Sequence, residues 1–190
     1  MKNIVLVGFM GTGKTTVGQL LARQLGWRFV DLDREIEVRC RMEVSVIFAE
    51  YGEPYFREQE TAVIKSLIGQ SGLVVATGGG AVLRDDNIAA LRQCGLIVML
   101  SAAPDVIVKR LEQDRQVIRP LLQGPDKLQR VGSILADRQA RYALADVSID
   151  TNQLTPAEVV QQIVRVHMDW ESKNLLSQQP RRNAGRKQTC

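Results

Sequence analysis

Apolar residues follow two alternating patterns along the chain: short continuous runs, and longer stretches with an apolar residue every three or four positions. The short runs predict five strands, over residues 3–7, 27–32, 73–76, 96–100 and 147–149. The longer stretches predict helices over residues 14–25, 36–51 (one or two helices), 54–67, 86–93, from 104 onward, 125–144 and 156–170. Strands that alternate with helices are typical of βαβ units, so we predict an α/β fold with a parallel sheet covered on both faces.

The length of 190 residues fits a single domain. We assign residues 1–170 to this domain and predict that residues 171–190 form a disordered basic tail, because they are polar and lack apolar periodicity. No apolar run reaches the ~18 residues that a membrane span needs. The first residues also lack the small-residue cleavage site of a secretory signal.

Charge is distributed unevenly between the domain and the tail. Residues 1–170 contain 20 Lys and Arg and 20 Asp and Glu, so the net charge of +4 comes entirely from residues 171–190. A folded domain that binds nucleic acid needs a basic surface of its own. The charge distribution therefore argues against nucleic-acid binding, although the isoelectric point is about 9.1.

The three cysteines, Cys40, Cys94 and Cys190, are odd in number and lack the spacing of metal ligands. A reduced protein in the cytoplasm is the simplest account of them. We predict packing roles for Cys40 and Cys94. The single histidine, His167, lies on the last predicted helix, and we assign it no catalytic role.

A glycine-rich segment follows the first predicted strand. Residues 8–15, with the sequence GFMGTGKT, match the phosphate-binding motif G-x-x-x-x-G-K-[ST] at every position. Gly11 and Gly13 allow the backbone to curl so that its N–H groups converge on phosphate oxygens. Lys14 reaches the outer phosphates, Thr15 can bind Mg²⁺ through its hydroxyl, and the following helix presents its positive end. The motif lies between an apolar strand and an amphipathic helix, so we predict nucleotide binding.

Two carboxylates, Asp31 and Asp33, close the second predicted strand. P-loop proteins usually carry a second carboxylate on the Mg²⁺ side at the end of another strand. Alternate residues of a strand share a face, so we predict that both carboxylates point into the ligand crevice at the carboxyl edge of the sheet. The alternative is that Asp33 caps a helix beginning at residue 34.

A second motif narrows the class of protein. Residues 52–60, GEPYFREQE, resemble the G-E-x-x-F-R-x-x-E segment of shikimate kinases. The other motifs follow in the order of that family: the phosphate-binding loop, Asp31 and Asp33, Gly78-Gly79-Gly80, Arg119-Pro120-Leu121-Leu122, Arg138, and Asp150-Thr151-Asn152. The chain is thus similar to the shikimate kinase family over roughly residues 2–165.

The resemblance implies a three-layer P-loop kinase fold, with a five-stranded parallel sheet flanked by helices and a lid over residues 114–124. The implied reaction is transfer of the γ-phosphoryl group of ATP to the 3-hydroxyl of shikimate, in aromatic amino-acid biosynthesis. ATP is then the co-substrate, with one Mg²⁺ ion per subunit. We expect a cytoplasmic monomer whose partners are ATP and shikimate, and neither nucleic acid nor a membrane.

The resemblance also implies roles for individual residues. The implied catalytic residues are Lys14, Asp33 and Arg119. The implied ATP-binding residues are Gly11, Thr12, Gly13, Lys14, Thr15, Thr16, Arg110, Arg119 and Pro156. The implied shikimate-binding residues are Asp33, Arg57, Gly79 and Arg138, and the implied Mg²⁺ ligands are Thr15 and, through water, Asp31.

The chemistry of the substrate fits these residues. Arg57 and Arg138 suit the shikimate carboxylate, because a planar guanidinium can pair with a carboxylate through two hydrogen bonds. Glu60 lies three residues after Arg57, on the same helical face, where it can hold the guanidinium in place. Phe48 and Phe56 would supply apolar walls.

The resemblance places Asp33 at the hydroxyl that attacks ATP, where it would orient the hydroxyl and accept its proton. Arg119 would close over the phosphates from the lid and offset the charge that develops on the transferred group. Arg110 resembles an arginine that stacks on adenine. Leu154 stands where some members carry an arginine that contacts the nucleotide, so we expect the adenine contacts to depend on Arg110 and on backbone atoms.

Two other functions are weighed against this prediction. Another small-metabolite kinase of the same fold, such as a gluconate kinase, would keep the phosphate-binding loop and the lid arginine. It would not need Arg57, Glu60 and Arg138 together. A regulatory module that binds nucleotide without catalysis could lose Asp33 or Arg119. The chain retains the whole set, which favours shikimate kinase.

Overall fold

The fold comes from a computed structural model in which residues 2–113 and 126–177 are described, except for the side chains of residues 175–177. Within these residues the strands are β1 (Asn3–Val7), β2 (Arg28–Asp31), β3 (Leu73–Ala76), β4 (Gly95–Ser101) and β5 (Val147–Asp150). The helices are α1 (Lys14–Leu25), α2 (Leu32–Cys40), α3 (Val44–Ser66), α4 (Asp85–Cys94), α5 (Pro104–Gln113), α6 (Lys127–Tyr142) and α7 (Pro156–Ser177), with a 3₁₀ helix at Ala81–Leu83. The bounds of β1, α1 and β3 are those that the sequence predicted.

The strands form one parallel sheet in the order β2-β3-β1-β4-β5, which confirms the predicted fold class. Alternate residues of β1 point to opposite faces of this sheet. Ile4 and Leu6 pack with α1 and α7, while Val5 and Val7 pack with the layer formed by α2 to α6. The molecule therefore has three layers, with the sheet between two layers of helices.

The region predicted as helices over residues 36–51 and 54–67 is divided differently in the structure. α2 begins earlier and ends before Arg41, whose φ of 55° is left-handed. α3 then runs from residue 44 to 66 across a kink at Gly52, where φ is 77° and ψ is 173°. A positive φ is accessible to glycine without steric cost, so the sharp change of direction falls there.

The carboxyl ends of β2, β3 and β1 lie side by side, because these strands are neighbours in the sheet. The phosphate-binding loop follows β1, Asp31 ends β2, and residues 78–80 follow β3. The backbone N–H of Thr77 donates to the carbonyl of Leu6 (3.0 Å), which holds β3 against β1 up to this edge. Ligands of open α/β sheets bind at this edge, so the topology brings three of the predicted motifs together.

The last helix continues to Ser177, so its predicted end at Trp170 was too early. The extra turns contact the amino terminus, where Glu171 accepts a hydrogen bond from the backbone N–H of Lys2 (2.8 Å). His167 is buried, with its Nε2 2.9 Å from the carbonyl of Lys2 and its ring 5.5 Å from that of Trp27, edge to face. These tertiary contacts explain the extension. Residues 178–190 of the predicted tail lie outside the described residues.

Cys94 is buried and Cys40 is partly buried against the core, as expected of packing residues, and both are free thiols. Cys190 lies outside the described residues. In the described part of the chain, no helix is both long and apolar enough to span a membrane.

Gly95 supports the β1–β4 pair that carries the phosphate-binding loop, and we expect Gly95→Ala to destabilise the fold severely. A Cβ at this position would lie against the backbone carbonyl of Asn3, 2.6 Å from its carbon. Asn3 is directly opposite in the strand register, so neither backbone can move without breaking the pair. Urea denaturation should show a free energy of unfolding lower by at least about 3 kcal/mol.

The matched control is Gly132→Ala in α6, where the nearest atom to an added Cβ is the Cγ of Pro104, 4.0 Å away. Alanine is favoured over glycine inside a helix, so this variant should be unchanged or more stable by about 0.5–1 kcal/mol. Equal stability of the two variants would contradict the steric argument for Gly95.

Candidate active site

The phosphate-binding loop connects β1 to α1 in the conformation its glycines allow. Gly11 and Gly13 have φ values of 77° and 95°, in the region that favours glycine, and Gly13 is the residue that caps α1. The Nζ of Lys14 donates to the carbonyls of Gly8 (2.9 Å) and Phe9 (2.8 Å), which folds the side chain back over the loop. Because α1 begins at Lys14, directly after the glycines of the loop, the positive end of this helix faces the loop.

The three threonines of the loop differ in their surroundings. Thr12 is buried, and its hydroxyl donates to the carbonyl of Phe9 (2.8 Å), so only its backbone can serve a phosphate. Thr15 and Thr16 are exposed. The hydroxyl of Thr15 donates to Oδ2 of Asp31 (3.2 Å), which brings the two predicted Mg²⁺ ligands together.

A cavity of about 470 Å³ lies beside the loop. It is lined by Gly11, Thr12, Gly13, Thr15, Thr16, Val17, Arg110, Leu111, Gln113, Thr151, Leu154, Pro156 and Val159. The guanidinium of Arg110 is fixed at its edge by hydrogen bonds to the hydroxyl (2.9 Å) and carbonyl (2.6 Å) of Thr151. The structure thus places most of the predicted ATP-binding residues around one space, including Pro156, and Leu154 lines the same cavity.

The two aspartates do not share a strand face, which corrects the prediction from the sequence. β2 ends at Asp31, and Asp33 lies in the first turn of α2. Asp31 caps this helix, because its Oδ1 accepts the backbone N–H of Asp33 (3.2 Å). The alternative in which Asp33 is the cap is therefore also wrong. Leu32 is the first residue of the helix and is buried.

Asp33 still faces the glycines after β3. A Cβ on Gly78 would lie 2.8 Å from Oδ1 of Asp33, so the carboxyl packs directly against that backbone. Burial raises the pKa of Asp33, and the charge of Asp31 raises it further, while Lys14 and Arg57 oppose the shift. The carboxyl is thus partly buried, within the electrostatic reach of both cations.

Arg57 is held by two acidic residues of its own helix. Its Nη1 donates to both oxygens of Glu60 (3.0 and 3.2 Å), and its Nε and Nη2 donate to Oε1 of Glu53 (3.1 and 3.0 Å). The predicted contact between Arg57 and Glu60 is confirmed. Phe48 and Phe56, the predicted apolar walls, stack next to this group with ring centroids 4.7 Å apart.

Gly78 and Gly80 allow side chains to approach their bare backbone, a feature that the sequence did not reveal. A Cβ on Gly80 would lie 2.7 Å from Cζ of Arg57, so the guanidinium rests on the bare backbone. Gly78 is similarly close to Asp33 and to Oε1 of Glu60 (3.3 Å). Gly79, predicted to contact substrate through its N–H, has only ordinary neighbours.

α6 approaches the same loop from the other side. Arg138 donates from Nη1 to the carbonyl of Gly79 (3.3 Å), and its guanidinium lies 5.9 Å from the ring centroid of Phe9. The hydroxyl of Tyr142 donates to the same carbonyl (3.0 Å). Arg141 binds the carbonyls of Val82 (3.0 Å) and Leu83 (2.8 Å) in the following 3₁₀ turn. Tyr142 and Arg141 had no signal in the sequence, because their partners lie about sixty positions away in the chain.

Arg119 and the predicted lid over residues 114–124 lie outside the described residues. The remaining predicted catalytic and substrate residues are Lys14, Asp33, Arg57, Gly79 and Arg138. These meet at the carboxyl edge of the sheet, around the loops that follow β1 and β3.

A phosphate-binding loop on the sheet of a three-layer fold, beside a cavity and a group of partly buried acidic and basic side chains, defines a small P-loop kinase. The shikimate kinase family model matches residues 10–167. The chain belongs to the shikimate kinase family, and it is a phosphotransferase that uses ATP as co-substrate.

Individual relatives agree with this assignment. The shikimate kinase of Thermodesulfovibrio yellowstonii is 48% identical over 165 residues, which cover 87% of this chain and 94% of the relative. A solved shikimate kinase from Acinetobacter baumannii, in complex with shikimate, is 38% identical with a TM-score of 0.81. That match covers 90% of this chain and 95% of the other.

A gluconokinase from Sinorhizobium meliloti shares only 16% identity and a TM-score of 0.55, over 90% of this chain and 97% of the other. At this level of identity the match shows the fold alone. The alternative of a gluconate kinase is therefore not favoured.

Proposed function

We propose that the chain binds ATP and shikimate at this site and transfers the γ-phosphoryl group to the 3-hydroxyl of shikimate, giving shikimate 3-phosphate and ADP. One observation carries the proposal for the substrate. Arg57 of α3 and Arg138 of α6 approach the loop of residues 78–80, which we call the glycine loop, next to the partly buried carboxyl of Asp33. Two guanidinium groups suit the carboxylate of the substrate, and Asp33 suits its hydroxyl.

The reaction forms a bond from the hydroxyl oxygen to the γ-phosphorus and breaks the bond to the β-phosphate oxygen, so that ADP leaves. Asp33 would orient the hydroxyl and take up its proton as the bond forms. Lys14 and the N–H groups of the loop would offset negative charge on the phosphates. Arg119 remains a predicted contributor to the same charge.

The oxygens of Thr15 and Asp31, 3.2 Å apart, are of the type that Mg²⁺ prefers. We propose that they hold one Mg²⁺ ion, Thr15 directly and Asp31 through water. When bound, the ion would offset the negative charge of the phosphates.

The monomeric state, the cytoplasmic location, and the lack of nucleic-acid or membrane partners remain predictions from the sequence. Gel filtration combined with light scattering would test the first of these.

The proposed activity is tested by following ADP release with ATP and Mg²⁺ in the presence of shikimate, gluconate or no acceptor. We expect shikimate alone to raise the rate above that without acceptor, with the phosphate on the 3-hydroxyl by ³¹P NMR. Lys14→Ala is the control for contaminating kinases and should lose the activity. Turnover of gluconate but not shikimate would overturn the substrate assignment.

A further inference from the structure

Asn87, in the first half of α4, has a fully buried side chain whose hydrogen bonds connect three segments of the chain. Its Nδ2 donates to the carbonyl of Ala81 in the 3₁₀ turn (3.0 Å) and lies 3.5 Å from Oε2 of Glu60. Its Oδ1 accepts from the hydroxyl of Thr61 (2.7 Å). A single amide therefore joins α3, α4 and the turn that follows the glycine loop.

The orientation of this amide is fixed by its neighbours. The carbonyl of Ala81 and the carboxylate of Glu60 are both acceptors, so the NH₂ group must face them. The oxygen then faces Thr61, which can donate. The reverse orientation would place the amide oxygen against two acceptors inside the protein, where an unmade hydrogen bond is costly.

Glu60 depends on such a partner because its carboxylate is completely buried. Burial raises its pKa, against the opposing charge of Arg57. A buried carboxylate is tolerated when it is paired and hydrogen-bonded. The Nη1 of Arg57 supplies the charge, and the amide of Asn87 is placed to supply a further donor to the same oxygen, Oε2.

We propose that Asn87 is a positioning residue for substrate binding: through Glu60 and the Ala81 turn, it holds the guanidinium of Arg57 against the backbone of Gly80. The inference rests on the proposed function, in which Arg57 binds the substrate carboxylate. It predicts that a change at Asn87 acts on substrate affinity more than on the chemical step.

The test compares Asn87→Asp with Asn3→Asp. Asn3 is also fully buried and also uses both ends of its amide, donating to the carbonyl of Gln70 (2.9 Å) and accepting from the N–H of Leu73 (3.0 Å). It lies at the amino end of β1, opposite to the site. Both variants therefore place a carboxyl of the same size in a buried position, but only one borders Glu60.

We expect Asn87→Asp to raise the KM for shikimate about ten- to a hundredfold at about pH 8, with kcat and the KM for ATP changed less than about threefold. The ionised group cannot donate to Ala81 or Glu60, and its charge repels Glu60. Asn3→Asp should leave the KM for shikimate unchanged, even if it lowers the melting temperature.

The pH profile separates positioning from a simple loss of structure. The introduced carboxyl would border Glu60, which itself lies within the electrostatic reach of Arg57 on α3, Asp33 on α2 and Arg84 before α4. Asp85, two residues earlier on α4, pairs with Arg141 of α6. Burial beside Glu60 raises the pKa of the introduced carboxyl. Protonation at lower pH restores a donor, so the ratio of variant to wild-type KM should fall as the pH is lowered from about 9 to about 6.

A second variant covers the case in which Asn87→Asp does not fold. Thr61→Val keeps a similar shape but removes the hydroxyl that lies 2.7 Å from the amide oxygen of Asn87 and 2.9 Å from the carbonyl of Arg57, and it should raise the KM for shikimate about three- to tenfold with little change in kcat. A normal KM in Thr61→Val, or in a folded Asn87→Asp at every pH, overturns the inference while the wild type still phosphorylates shikimate. Absence of turnover in the wild type instead overturns the proposed function.

Discussion

Asp33→Asn should lower kcat by about a hundredfold without changing the Mg²⁺ concentration needed for half-maximal rate. The substitution keeps the size of the side chain and one acceptor oxygen, so the packing against Gly78 is retained. It removes the charge that would orient the substrate hydroxyl and accept its proton. General base assistance typically raises the rate about 10²–10⁴-fold. The transition state of phosphoryl transfer is loose, so proton removal contributes less, and we expect a loss of kcat at the lower end of this range.

Asp31→Asn is the matched variant, because the two carboxylates lie only two positions apart but contact different groups. Oδ2 of Asp31 accepts from Thr15 (3.2 Å), and asparagine caps helices as well as aspartate does, so α2 should still begin normally. We expect this variant to need more Mg²⁺ and to be partly rescued by excess metal. Titration of rate against Mg²⁺ decides the assignment: rescue of the Asp33 variant instead would show that the roles are reversed.

The strands were the most predictable part of the fold. β1 and β3 are buried on both faces, so each is a continuous apolar run bounded by polar residues or glycine. The phosphate-binding loop was equally clear, because its glycines and its lysine are adjacent in sequence. Local interactions decide these elements, and local sequence therefore predicts them.

The boundary between β2 and α2 shows where a local pattern misleads. Alternation of polar and apolar residues from Asp31 to Asp33 fits a strand, but aspartate is also a strong helix cap, and Asp31 takes that role here. In the structure the hydrogen bond from the N–H of Asp33 to Asp31 starts the helix. Asp33 therefore lies against the backbone of Gly78 from the first turn of a helix and not from the face of a strand.

The support of the site could not be predicted, because its contacts join distant segments. The guanidinium of Arg57 lies on the backbone of Gly80, and the hydroxyl of Tyr142 reaches the carbonyl of Gly79 from α6. Asn87 resembles any polar residue in the first half of a helix. Its partners, Thr61 and Ala81, are recognised only once the helices are packed.

Arg138→Ala should lower kcat/KM for shikimate by about ten- to a hundredfold or more, mainly through KM, while the KM for ATP barely changes. Charge-assisted hydrogen bonds contribute about 1.5–3 kcal/mol each, and the carboxylate would lose a bidentate partner. This arginine is a cleaner probe than Arg57, whose removal would leave Glu60 buried without its cation. Arg138 lies instead beside the ring of Phe9 and the carbonyl of Gly79, so its removal leaves no buried carboxylate without a cation.

Arg165→Ala is the control, since it makes the same change on an exposed position of α7, on the other face of the sheet. It should leave both KM values and the melting temperature unchanged. Steady-state rates at varied shikimate and at varied ATP separate the two substrates for each variant. If Arg138→Ala raised the KM for ATP and left the KM for shikimate unchanged, the arginine would bind the nucleotide and not shikimate. The carboxylate of the substrate would then depend on Arg57, the one other guanidinium that the described residues place against the glycine loop.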